Sequence, residues 1–76
     1  MLTFESNDNG ERLEIHGDKD SFLRLAKILT EMAMQKESEH RHLMTPDWGG
    51  TELSNDKQSL DNKLYHHVKI FFWENQ

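Results

Sequence analysis

The chain contains no cysteine. Disulfide staples, thiolate nucleophiles and thiolate metal sites are therefore excluded. No apolar run is longer than Ile70-Phe71-Phe72-Trp73, far short of the ~20 residues a membrane helix needs. A basic excess is also missing: 9 Lys and Arg stand against 14 Asp and Glu, net −5 with histidine neutral. Generic phosphate-backbone binding needs a basic surface, so nucleic acid is not an expected partner. The opening Met1-Leu2-Thr3-Phe4-Glu5 has neither a basic n-region nor an apolar h-region, and the expected compartment is the cytoplasm. Gly49-Gly50 lacks the lysine and spacing of a phosphate loop. No nucleophile elbow and no motif-placed carboxylate pair is present.

What remains is one small domain, residues 1–76. Leu, Ile, Val and Phe together make up about a fifth of the chain, just above the composition at which burial stops offsetting chain entropy. Such a chain depends on an efficient core, a metal or a partner subunit. Charge is spread evenly and no repeat is visible. The one linker-like stretch is Ser54 to Asn62.

Leu2 and Phe4 alternate with Thr3 and Glu5, and Leu13 and Ile15 alternate with Arg12, Glu14 and His16. Period two on both sides of Asn9-Gly10 predicts an antiparallel hairpin with one apolar face. Asp18 or Asp20 can cap a helix from about Lys19 to about Lys36, with Phe22, Leu25, Ala26, Leu29, Met32 and Ala33 as its stripe. His40 to Thr45 reads as a third strand that ends at Pro46. Its parity is open, since Leu43 and Met44 are neighbours. Pro46 to Gly50 is a turn, and Thr51 to Leu53 a short extended piece. Leu64 to Glu74 gives the strongest strand signal. Leu64, His66, Val68, Ile70 and Phe72 form one face; Tyr65, His67, Lys69, Phe71 and Trp73 form the other. The expected architecture is α+β, a small mainly antiparallel ββαββ sheet with one helix on one face. If strands two and three share that sheet, the helical crossover makes them parallel. The second face is left open, with aromatic groups on it.

Three groups of residues could carry function. If Leu43 faces inward, His40, His42 and His67, with His16 nearby, share the open face. Three imidazoles can hold zinc; they can equally be exposed strand residues, with His66 satisfied in the core, or a pH-sensitive cluster. Asp47-Trp48 on its loop can anchor a partner, or Trp48 can fold back over the core. The shortage of large apolar groups favours folding back. Tyr65, Phe71 and Trp73 form an association patch, given that no second helix layer exists to cover them.

The segment His40-Arg41-His42-Leu43-Met44-Thr45-Pro46-Asp47-Trp48-Gly49-Gly50-Thr51-Glu52-Leu53-Ser54, followed by His66-His67-Val68-Lys69-Ile70-Phe71-Phe72-Trp73, resembles the immunity protein 32 family of bacterial polymorphic toxin systems. The Ile15-His16-Gly17-Asp18 turn into an apolar helix is similar too. The resemblance implies an α+β protein that binds and neutralises a toxin from the same or a neighbouring cell, without catalysis or cofactor. It assigns no contact residues; Asp47, Trp48, Tyr65, Phe71 and Trp73 are chosen on physical grounds. The acidic balance suits a basic toxin, because opposite charge speeds encounter. Two rivals stand beside this reading. One is a small structural or regulatory homodimer paired through the open face. The other is a zinc-binding protein using His40, His42 and His67.

Overall fold

The alternation around Asn9-Gly10 folds as a hairpin. In the computed structural model, which describes residues 1–75, β1 (Leu2–Ser6) pairs antiparallel with β2 (Leu13–Gly17), Phe4 opposite Ile15. Gly10 supplies the turn's left-handed residue at φ +74°, and the Asn7 side chain accepts from the Arg12 N–H at 2.8 Å.

Helix α1 spans Lys19–Ala33. Asp18 and Ser21 form a reciprocal capping box, each side chain accepting from the other's backbone N–H. The helix stops three residues short of Lys36: its C-cap Met34 is left exposed, and the sequence turns polar after it. Its inward row is Ser21, Leu25, Ile28 and Met32. This corrects the expected stripe: Phe22 and Leu29 are exposed, as are Ala26 and Ala33. The packed row follows contact with Leu2 and Phe4 rather than the widest run of apolar residues.

Strand β3 is Glu39–Met44, β4 is Lys63–Leu64 and β5 is His67–Phe72. They form two antiparallel sheets, ordered β2-β1-β4 and β3-β5, where a single sheet was expected. β2 and β3 therefore share no sheet, and no parallel pairing arises. Thr51 to Leu53 is a bend rather than a strand.

The predicted long C-terminal strand is broken at Tyr65-His66, and the break reverses its faces. Leu64 lies opposite Glu5, whereas Val68 lies opposite the buried Leu43. Directly opposed residues share a face. Leu64 thus lies on the side of Glu5 and Val68 on the side of the core. Leu2, Phe4, Leu43 and Leu53 form that core, with Leu25, Ile28, Val68 and Ile70 packed around it.

The face of β1 away from the helix is not open. Glu5 is fully buried there. Its carboxylate accepts from the Thr3 hydroxyl, the Gln58 and Ser59 N–H groups and the Asn62 amide. The Ser54–Asn62 stretch is thereby folded across this side of the sheet, and Asn62 also donates to Glu14. The open-face expectation survives only for the β3-β5 sheet. Leu13 and Ile15 lie on the apolar side but remain exposed, because β2 is an edge strand beyond the reach of the helix's buried row.

Burial alone would push the Glu5 carboxyl up. The bonds from Thr3, Gln58, Asn62 and Ser59 outweigh it and hold the group at about 2. An unfolded glutamate ionises near 4.5. The stability Glu5 contributes is therefore complete above about pH 5 and is lost as pH falls towards 2. Glu5→Gln places amide hydrogens against N–H donors, and it should cost roughly 1–3 kcal/mol at neutral pH. Denaturant melts should show that difference shrinking as pH is lowered from 5 to about 2.

Candidate functional site

Leu43 settles the parity of β3. It is buried in the core, so His40, His42 and Met44 project to the other side. Across the ladder they meet Phe71, Lys69 and His67. The result is an unbroken row of rings on the uncovered side of this sheet. Trp48 stacks on His66 (centroids 6.1 Å apart, planes at 9°) and approaches His67 at 6.1 Å. His67 stacks on His42 at 5.0 Å, His42 meets His40 edge-on at 5.1 Å, and His40 meets Phe71 at 5.6 Å. Phe71 stacks on Trp73 at 5.9 Å, and the Lys69 ammonium lies 4.9 Å from the Phe71 ring centre.

Trp48 does not fold over the core, contrary to expectation. It is 59 % exposed. Pro46 starts a short 3₁₀ turn, Pro46–Trp48, which Gly49 ends at φ +86°. Gly50 then passes so close to β3 that a β-carbon there would lie 2.4 Å from the Met44 carbonyl oxygen. The chain is pinned flat against the strand, and Leu53 is the residue of this segment that enters the core. Thr45, fully buried, shares a 2.7 Å hydrogen bond with His66 Nδ1. That bond holds the imidazole under the indole, so His66 is a half-buried platform rather than a core residue.

The other candidates separate. Phe71 and Trp73, both more than half exposed, lie in the row. Asp47 sits beside Trp48, in reciprocal hydrogen bonds of 3.2 Å with the Asn55 side chain. Tyr65 is not in the row: the break at Tyr65-His66 places it in a shallow cleft with Phe4, Leu13, Val68 and His67. Three participants were missed, namely Lys69, Met44 and His66. Period two already put Lys69 between His67 and Phe71; nothing in the sequence marked the Thr45–His66 bond.

The imidazoles are neighbours without forming a coordination shell. His42 Nδ1 and His67 Nε2 share a hydrogen bond of 2.8 Å. Among the described residues no group of three His, Asp or Glu is arranged to hold a metal ion. His16 is elsewhere, against Glu14 at 2.9 Å. Crowding by its neighbours, then the positive charge that His67, His40 and Lys69 can carry, lowers the His42 pKa from 6.5. The folded protein therefore resists protonation at His42, and its stability declines as pH falls below about 6.5. His67→Gln removes the strongest like-charge neighbour. It should move the His42 titration upward in an NMR pH series.

A family model described as Immunity protein 32 matches residues 12–68. No curated protein and no solved structure matches the chain. The matched span runs from β2 into β5. It takes in Trp48, the Gly49-Gly50 turn and the four imidazoles of the row, and it stops short of Phe71 and Trp73. With three quarters of its length inside that model, this chain belongs to the Immunity protein 32 family.

Proposed function

We propose that the protein is a cytoplasmic antitoxin that binds a cognate polymorphic toxin and neutralises it by occlusion, without catalysis or cofactor. The observation that carries this reading is the continuous row from Trp48 to Trp73, which ends at both sides in a tryptophan more than half exposed. Large rings gain most from desolvation at an interface and lose little side-chain entropy on binding. The row lies on the one sheet face that neither the helix nor the Ser54–Asn62 loop covers. Membership of an immunity-protein family points to a protein toxin as the occupant.

Charge refines the picture. Among the described residues, the ionisable groups in the row itself are Lys69 and the imidazoles. The acids stand at its ends: Asp47 next to Trp48, Glu52 on the Met44 N–H, and Glu74 after Trp73. A toxin surface suited to this face would set apolar or aromatic groups against the rings and basic groups towards the ends. The net charge of −5 would speed the approach of such a basic partner. Asp47 can pair with one of its basic groups, and Tyr65 lies at the margin.

The test is co-expression with the product of the adjacent reading frame, followed by calorimetry on the purified pair. Trp48→Ala, Phe71→Ala and Trp73→Ala should each weaken the complex about tenfold or more while the melting temperature stays near that of the parent. Leu60, 87 % exposed and outside the row, serves as control: Leu60→Ala should leave affinity unchanged. Equal losses at all four positions, or none, would remove the ring row as the docking face.

A further inference from the structure

Among the described residues, the edge of β3 that points away from β5 is closed at one end and has no backbone partner along the rest. The Thr45 N–H donates to the His66 carbonyl, so the odd-numbered residues of β3 direct their backbone groups towards β5. Met44 points the other way. Its N–H donates to Glu52 Oε1 at 3.1 Å and its carbonyl accepts from the Leu53 N–H at 3.2 Å. Backbone direction alternates along an antiparallel strand. His40 and His42 therefore present N–H and C=O groups outward, on the stretch that Glu52 and Leu53 leave uncovered. No proline or bulge interrupts Ser38 to Leu43, and an open edge of this kind is a template for another strand.

Along that edge, Glu39-His40-Arg41 is complementary to itself. Set a second copy antiparallel with His40 opposite His40. Glu39 then faces Arg41 on both sides of the two-fold axis, and Ser38 faces His42. The open positions are all used, and Met44 keeps its partners because it lies beyond the end of the pairing. Centring one residue later would set Arg41 against Arg41. Centring two later would set His40 against the closed Met44. Charge and edge closure thus select one register.

We propose that a second copy of this chain docks on the β3 edge in the antiparallel register centred on His40, joining two β3-β5 sheets into one of four strands. Opposed residues share a face, so the two ring rows lie side by side on the same surface and remain free. The inference is independent of the toxin reading. A five-residue edge buries less than the ~1,200 Å² of a stable interface, so the dimer is a weak one.

Sedimentation equilibrium of the full chain, from about 1 µM to about 1 mM, should show a concentration-dependent dimer. Arg41→Glu sets acids against acids, and Glu39→Arg sets bases against bases. Each variant alone should stay monomeric, and an equimolar mixture of the two should dimerise. Arg41 also contacts Glu39 at 3.2 Å and Glu31 at 4.0 Å within its own chain, so each variant's folding is checked by circular dichroism. A second readout does not depend on those charges. In a chain with no native cysteine, His40→Cys should oxidise to a covalent dimer, because opposed hydrogen-bonded residues lie about 5.5 Å apart. His42→Cys should not, because its copy is displaced by about 13 Å along the strand. Trp48→Ala and Trp73→Ala should leave the dimer intact. A native chain that stays monomeric throughout would overturn the proposal. So would equal cross-linking at positions 40 and 42, a mixture no better than its components, or loss of the dimer in the tryptophan variants.

Discussion

Coverage is the constraint on which this molecule depends. A helix of 15 residues is about 22 Å long, while the chain's long axis is 40 Å. Its radius of gyration, 13.3 Å, exceeds the ~11 Å expected of a compact unit of this length. One helix cannot shield two sheets on both sides. The β1 side away from the helix is closed by a buried carboxylate and a loop that hydrogen-bonds to it. Among the described residues nothing closes the β3-β5 side away from the core, and there the rings collect.

The break at Tyr65-His66 divides these two solutions. Upstream of it the last segment belongs to β1 and carries Leu64 on the polar side, with Glu5. Downstream it belongs to β3 and carries Val68, Ile70 and Phe72 on the side of the core. One segment of chain therefore serves two sheets with opposite facing. The Thr45–His66 bond and the Thr45 N–H to the His66 carbonyl clamp the break from the β3 side; the Tyr65 N–H to the Phe4 carbonyl clamps it from the β1 side. The same clamp sets His66 beneath Trp48, so the joint between the sheets is also one end of the ring row.

Local periodicity makes most of the elements legible in the sequence. The hairpin, the helix start at Asp18, the strand ending at Pro46 and the ring side of β5 all follow from spacing and turn chemistry. The shared face of His40, His42 and His67 follows once Leu43 is taken as buried. The remainder depends on contacts between distant residues, which spacing does not encode. Glu5 alternates with Phe4 as any solvent-facing acid would; only Asn62 and the Gln58-Ser59 backbone, more than fifty positions later, make it a buried hub. Tyr65 sits in phase with Phe71, yet the break takes it out of the row. The helix offers more apolar residues than β1 can cover, so its sequence cannot tell Phe22 from Ile28.

The residues that carry the family likeness divide by role. Leu43 and Leu53 are core, Thr45 holds His66, and Glu52 caps the Met44 N–H. Gly49 turns the chain, and Gly50 lets it lie against Met44. These build the clasp at the end of β3 and close the strand at Met44. Trp48 is the exception: more than half exposed, it stacks on His66 at the surface. A motif can therefore mark the scaffold of an immunity protein while leaving the choice of partner to side chains that project from it. On the proposed reading, the face presented to a toxin would be set by the rings around the clasp together with Phe71 and Trp73, which lie beyond the matched span. Identity of family and identity of toxin are on this account written in different residues of the same small sheet.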